Sequence, residues 1–123
     1  MNIVMTTDCV FCKNDNLKVV AENDLCYAIR DIRPVTNLHT LIISKHHHQT
    51  IFDIPPAILL RMFALAKLCR TEILALDPTV KGFNFGANAG SIAGQRIHHV
   101  HFHLVPRREG DSHLRAIKGG GNK

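Results

Sequence analysis

The chain has 123 residues, 46% of them hydrophobic and 20% charged, which gives room for one domain with a modest core and argues against a disordered protein. No apolar run approaches the roughly 20 residues needed to cross a bilayer, and the opening "MNIVMTTDC" lacks the basic and apolar regions of a signal peptide, so a cytoplasmic protein without membrane partners is expected. Lys and Arg outnumber Asp and Glu by 15 to 10, a mild positive balance that suits a small anionic ligand and lacks the concentrated basic stripe of a nucleic-acid binder.

"CVFC", Cys9 to Cys12, comes first in chain order. A redox pair of this spacing normally opens a helix inside a βαβ pattern, whereas here a polar turn follows, so metal ligation is the better reading. "LKVVAENDLCYAIRD", Leu17 to Asp31, holds two short β-type runs around the turn-forming "END" and predicts a hairpin. "LHTLIIS", Leu38 to Ser44, is a third strand, and "KHHH", Lys45 to His48, follows it. A helix is expected from Asp53, with Asp53 as its cap and Pro55 in its first turn. Ile58, Met62, Leu65, Cys69 and Ile73 recur at helical spacing until Asp77 and Pro78 stop it. Cys26 and Cys69 fall in apolar patterns and read as core. "GFNFGANAG", Gly82 to Gly90, is a strand entering a glycine-rich loop.

The last strand carries the chemistry. In "IHHVHFHLVPR", Ile97 to Arg107, His99, His101 and His103 alternate with Val100, Phe102 and Leu104, so in extended chain the three imidazoles share one face and the apolar residues the other. Pro106 and Arg107 are expected to end the strand. A histidine row of this kind either holds a metal or supplies a nucleophile with groups that orient it and move protons, and spacing alone leaves both open. Directly before it, "GANAGSIAGQR" places Gly86, Gly90 and Gly94 where backbone amides can approach phosphate oxygens, with Asn88, Gln95 and Arg96 as further donors.

These residues resemble the histidine triad nucleotide hydrolases and transferases. The resemblance rests on "HVHFHLV" with "AGQ" before it, Asn88, "DI" at Asp31 and Ile32, His39, "KHH" and "CVFC", in that order from about Cys9 to Arg107. It implies an α+β domain, residues 1–118, built as one antiparallel sheet of about five strands with a long helix and a short N-terminal segment; residues 119–123 are expected to be a mobile tail. It implies a hydrolase acting at a nucleotide α-phosphate, on a nucleoside phosphoramidate or a dinucleoside polyphosphate. His101 would be the nucleophile, His103 the proton donor, and His99 and His39 would set orientation and proton inventory. Asp31 would accept the ribose hydroxyls; Phe11, Ile29 and Ile32 would enclose the base; Asn88 and Gln95 would contact phosphate. Zinc-bearing members imply a closed structural Zn²⁺ site on Cys9, Cys12, His47 and His99, with His46 or His48 replacing His47 if the register slips. A homodimer is also implied. Arg96 departs from the Ser or Thr of many members and bears on whether longer polyphosphates are taken. Two other readings are a zinc-bearing nucleotide-binding module for sensing or interaction with slow hydrolysis, and a metal carrier in which all three triad histidines are ligands.

Overall fold

A computed structural model describes residues 9–111. The expected domain end at 118 and the tail lie outside them. Five strands, β1 (Val19–Glu22), β2 (Cys26–Arg30), β3 (Thr40–Ser44), β4 (Val80–Gly86) and β5 (His101–Arg108), form one antiparallel sheet in the order β1-β2-β3-β5-β4. One helix, α1 (Pro56–Leu76), packs on one face. The architecture is therefore the expected α+β one, with its single long helix. Among the described residues no helix is long and apolar enough to cross a membrane.

The hairpin turns where "END" predicts, because the Asn23 side-chain oxygen accepts from the backbone amides of Leu25 and Cys26 at 3.0 and 2.9 Å. Strand alternation then divides the molecule into two layers. Cys26, Ala28, Ile42, Val100, Phe102 and Leu104 meet the Ile58, Met62, Leu65, Cys69 and Ile73 stripe of α1 in the main core. Burial pushes the thiols of Cys26 and Cys69 up to about 12 and about 11, so both are inert packing groups. On the opposite face Phe11, Tyr27, Ile29, Leu41 and Ile43 form a second, smaller cluster. The register sets Ile43 opposite His101 and Leu41 opposite His103, so this cluster is the ground on which the two histidines stand.

Two boundaries differ from the sequence expectation. The helix starts at Pro56 with Pro55 at its N-cap, not at Asp53, because the Asp53 carboxylate is spent on the amide and hydroxyl of Thr50, both at 2.9 Å. Two consecutive prolines then supply a preset φ, and Pro56 stands where a missing N–H leaves no bond unmade. At the other end Asp77 caps as expected, its amide bonding the Ile73 carbonyl. The second difference is β5, which does not end at Pro106 but runs on to Arg108. Its pairing with β3 stops at Leu104, so beyond that residue β4 is the one strand that pairs with it and a residue without an N–H is tolerated.

Candidate active site and metal centre

His101 and His103 sit on the face of β5 turned from the helix; His99 lies just before the strand, where the amide of Val100 bonds the His48 carbonyl at 2.8 Å. The loop before it is shaped by glycine at two points, Gly90 and Gly94, both with φ near +98°. Gln95 locks that loop from inside: its amide nitrogen donates to the carbonyls of Gln49 and Ile97 at 2.6 and 3.0 Å, and its oxygen accepts from the Gly90 amide at 2.8 Å. Expected as a phosphate contact, Gln95 is buried and braces the loop that presents Gly94 and Arg96.

Ring nitrogens can be assigned protons from their partners, because a main-chain amide can only donate and a carbonyl can only accept. The Val35 amide donates to His39 Nδ1 at 3.0 Å, so His39 is neutral and carries its proton on Nε2. That nitrogen lies 3.0 Å from His103 Nδ1, which must accept; the proton of His103 is therefore on Nε2. Asp31 Oδ2 is a longer 3.5 Å from His39 Nε2, a secondary contact with a neutral ring. In the same way His101 Nδ1 donates to the His99 carbonyl at 2.7 Å, which leaves Nε2 of His101 with a free lone pair. Burial lowers the pKa of His101, outweighing the upward pull of its bond to the His99 carbonyl and of Asp31, and keeps that lone pair available. Two neighbouring imidazoles, ring centroids 5.2 Å apart, thus hold opposite roles, one a bare nitrogen and the other an N–H.

Both histidines line a pocket of about 260 Å³ together with Asp31, Ile32, Arg33, Leu41, Gly94, Arg96 and Ile97. Its apolar walls, one carboxylate and two guanidiniums suit a ligand with an apolar ring, hydroxyls and an anionic group. Asp31 and Ile32 stand on its wall. Phe11 and Ile29 do not line it: both are buried in the cluster beneath, Phe11 at 3% exposure. Asn88 lies beyond the end of β4, outside the set that lines the pocket. The loop from β2 to β3 shapes one rim, where Leu38 takes a left-handed φ of 72°, costly for a bulky residue, directly before His39.

His99 faces elsewhere. Its Nε2 donates to the Ser44 carbonyl at 2.8 Å, so Nδ1 is bare and is turned to Cys9 Sγ at 3.3 Å and Cys12 Sγ at 3.6 Å. His47 Nδ1 lies 3.2 Å from Cys12 Sγ, and the four ligand atoms lie within 4.8 Å of one another. Zinc bonds of about 2.3 Å to sulfur and 2.05 Å to nitrogen at a tetrahedral angle set sulfur and nitrogen roughly 3.5 Å apart, so the donor set fits such an ion. Burial, with His47 and His101 nearby, pushes His99 down to about 4 against its bond to Ser44, favouring the neutral, ligating form. His47, rather than His46 or His48, completes the group. The same geometry disfavours a carrier using all three triad histidines, since His99 gathers with the cysteines while His103 gathers with His39 and Asp31.

Sequence reasoning missed the Val35 amide and the Ser44 carbonyl, which assign the protons, and Leu41, Ile97 and Arg33, which complete the pocket. Only the alternation of Leu41 and Ile43 with Ile42 hinted at any of them.

Comparison with known proteins agrees with this geometry. The HIT domain model matches residues 13–110. An adenylylsulfatase of Arabidopsis thaliana is 37% identical over 112 residues, covering 87% of this chain but 56% of the plant protein, so the chain spans little more than half of that relative. An adenosine 5'-monophosphoramidase of Candida albicans is 36% identical over 109 residues, covering 82% of this chain and 71% of the relative. The crystal structure of a zinc-bound histidine triad family protein from Mycobacterium smegmatis superimposes with a TM-score of 0.78 at 33% identity, covering 89% of this chain and 82% of that one. With the family model spanning sheet, helix, loop and all three triad histidines, the chain belongs to the HIT domain family.

Proposed function

We propose that the protein hydrolyses nucleotides at the α-phosphate through a nucleotidyl intermediate on His101. The observation that carries this reading is the opposed protonation of the two pocket histidines, fixed by the Val35 amide and the His99 carbonyl. His101 Nε2 attacks phosphorus, the bond from phosphorus to the leaving group breaks, and the leaving group departs with its electron pair, held by a hydrogen bond from the Nε2–H of His103, and takes any proton it needs from water. Water then attacks phosphorus, the phosphorus to His101 bond breaks and restores the bare Nε2, and the water's second proton passes to solvent, releasing a nucleoside monophosphate. Relatives named as an adenylylsulfatase and an adenosine monophosphoramidase support chemistry at this phosphorus.

Asp31, on the pocket wall with one carboxylate oxygen taken by the Arg33 amide, is the ribose acceptor in this reading. Asp31→Ala weakens binding of ribonucleotides more than of 2'-deoxyribonucleotides, read by calorimetry on both; equal losses remove Asp31 from the ribose site. Arg96 brings a cation to the same pocket and favours substrates with an anionic leaving group, a polyphosphate over an amine. Arg96→Ser should lower kcat/KM for a dinucleoside polyphosphate about tenfold more than for a phosphoramidate. An unchanged ratio between the two substrates places Arg96 outside the leaving-group site.

Cys9, Cys12, His47 and His99 would together hold Zn²⁺ with four protein ligands, so the ion would contribute folding energy and leave the chemistry to the pocket histidines. Four cysteines without a disulfide among them are commonest in reducing compartments, which supports a cytoplasmic location. A homodimer is proposed as well: Leu60 and Phe63 on α1 are 68% and 51% exposed, beside the edge strand β4 whose Phe85 is also exposed.

A further inference from the structure

Phe11 stands between the two cysteines of the metal centre, and its ring does not touch the ligand pocket. It is packed edge-on against two histidine rings, His99 at 5.7 Å and 83° and His101 at 5.2 Å and 78°. The segment carrying it makes a single turn, with the amides of Cys12 and Lys13 both bonding the Cys9 carbonyl, and the Tyr27 hydroxyl donates to the Phe11 carbonyl. His101 has a second restraint, the carbonyl of His99 that takes its Nδ1 proton. Besides the His103 ring 5.2 Å away, two restraints on the candidate nucleophile therefore come from segments that carry the metal ligands: a ring set between Cys9 and Cys12, and the main chain of His99.

The strength of these restraints depends on what joins the four ligands. Thiols are weak donors, and S–H to nitrogen contacts hold Cys9 and Cys12 only loosely against His99 and His47. A metal ion replaces them with four bonds that fix Cys9 and Cys12 relative to His99. With the turn fixed, the Phe11 ring walls one side of His101 and keeps it in the rotamer in which Nδ1 reaches the His99 carbonyl. With the turn loose, that wall withdraws and the ring can rotate off the carbonyl, after which nothing holds its proton on Nδ1 and the bare nitrogen on Nε2.

We infer that Phe11 is a positioning residue for His101, and that occupancy of the Cys9, Cys12, His47 and His99 centre sets the orientation and tautomer of that ring. The catalytic consequence rests on His101 being the nucleophile; the effect on the ring does not.

The test uses long-range ¹⁵N–¹H NMR of the histidine rings in the zinc-loaded chain, the chelator-treated chain, and zinc-loaded Phe11→Leu, which keeps all four ligands. The loaded wild type is expected to show His101 as a single Nδ1–H tautomer. In Phe11→Leu, with zinc content unchanged, the two His101 nitrogen shifts should move toward each other as the tautomers mix, and kcat should fall about tenfold with KM held within about twofold. The chelator-treated wild type should show the same mixing. Identical His101 shifts in loaded wild type and loaded Phe11→Leu overturn the inference. If chelation unfolds the chain by circular dichroism, the Phe11→Leu comparison alone decides. Mixing of tautomers in a protein that turns over no nucleotide would leave the inference standing and remove the proposed function instead.

Discussion

His101→Ala abolishes turnover, a fall on the order of a thousandfold or more in kcat, while the circular dichroism spectrum and nucleotide affinity stay close to wild type. The expectation follows from where the ring sits. His101 borders the pocket and bonds only a main-chain carbonyl that water can satisfy once the ring is gone, so its removal takes the attacking nitrogen and little of the core. His103→Ala is milder and selective. Its Nε2–H assists departure of the leaving group, so the defect shrinks with an activated leaving group, whereas the His101→Ala defect does not. Steady-state kinetics with one poor and one activated leaving group separate the two roles, and a His101→Ala protein with near wild-type turnover would refute attack by this residue.

Loss of the metal is expected to be the largest stability effect in the molecule. Purified protein from zinc-replete cells should hold about one zinc per chain, and Cys9→Ala with Cys12→Ala should hold none. At free zinc about a thousandfold above Kd, binding stabilises the folded state by about 4 kcal/mol, which for a domain of this size is a fall in Tm on the order of 15 °C on removal. Calorimetry with and without chelator reads it. A protein that contains no zinc, or whose Tm is indifferent to chelation, contradicts the assignment of the four ligands. Binding is favoured at His99, where burial holds the ring neutral and the Ser44 carbonyl, by taking the Nε2 proton, leaves Nδ1 bare, so that little protonation opposes binding near neutral pH.

The strand alternation around His101 and His103 was legible because a period of two is a property of extended chain, and the helix stripe from Ile58 to Ile73 because its spacing is that of a helix. The helix start was not, since Asp53 is a good cap in isolation and only the fold brings Thr50 back to claim its carboxylate. Pro106 misled for a related reason: whether a strand tolerates proline depends on which neighbours still pair there, and the start of β3 at Thr40, opposite Leu104, is a fact of register. At the site, the residue types that do chemistry could be read from motifs, but the protons could not. They are assigned by the Val35 amide, the Ser44 carbonyl and the contact of His39 with His103, 64 residues apart, and main-chain groups leave no trace in a motif. Gln95 and Phe11 illustrate the same point. Each has a residue type suited to ligand contact, and each is turned inward to hold something that borders the pocket.

A covalent bond between His101 and a nucleotide phosphorus can be trapped by rapid quenching. With an α-³²P nucleotide bearing an activated leaving group, formation of the intermediate outruns its hydrolysis, so a burst of leaving group of about one per site is expected. Digestion of the quenched chain should place the label on the peptide containing His101, with no label in His101→Ala. A burst that leaves no label on the chain, or label on any other residue, would contradict it.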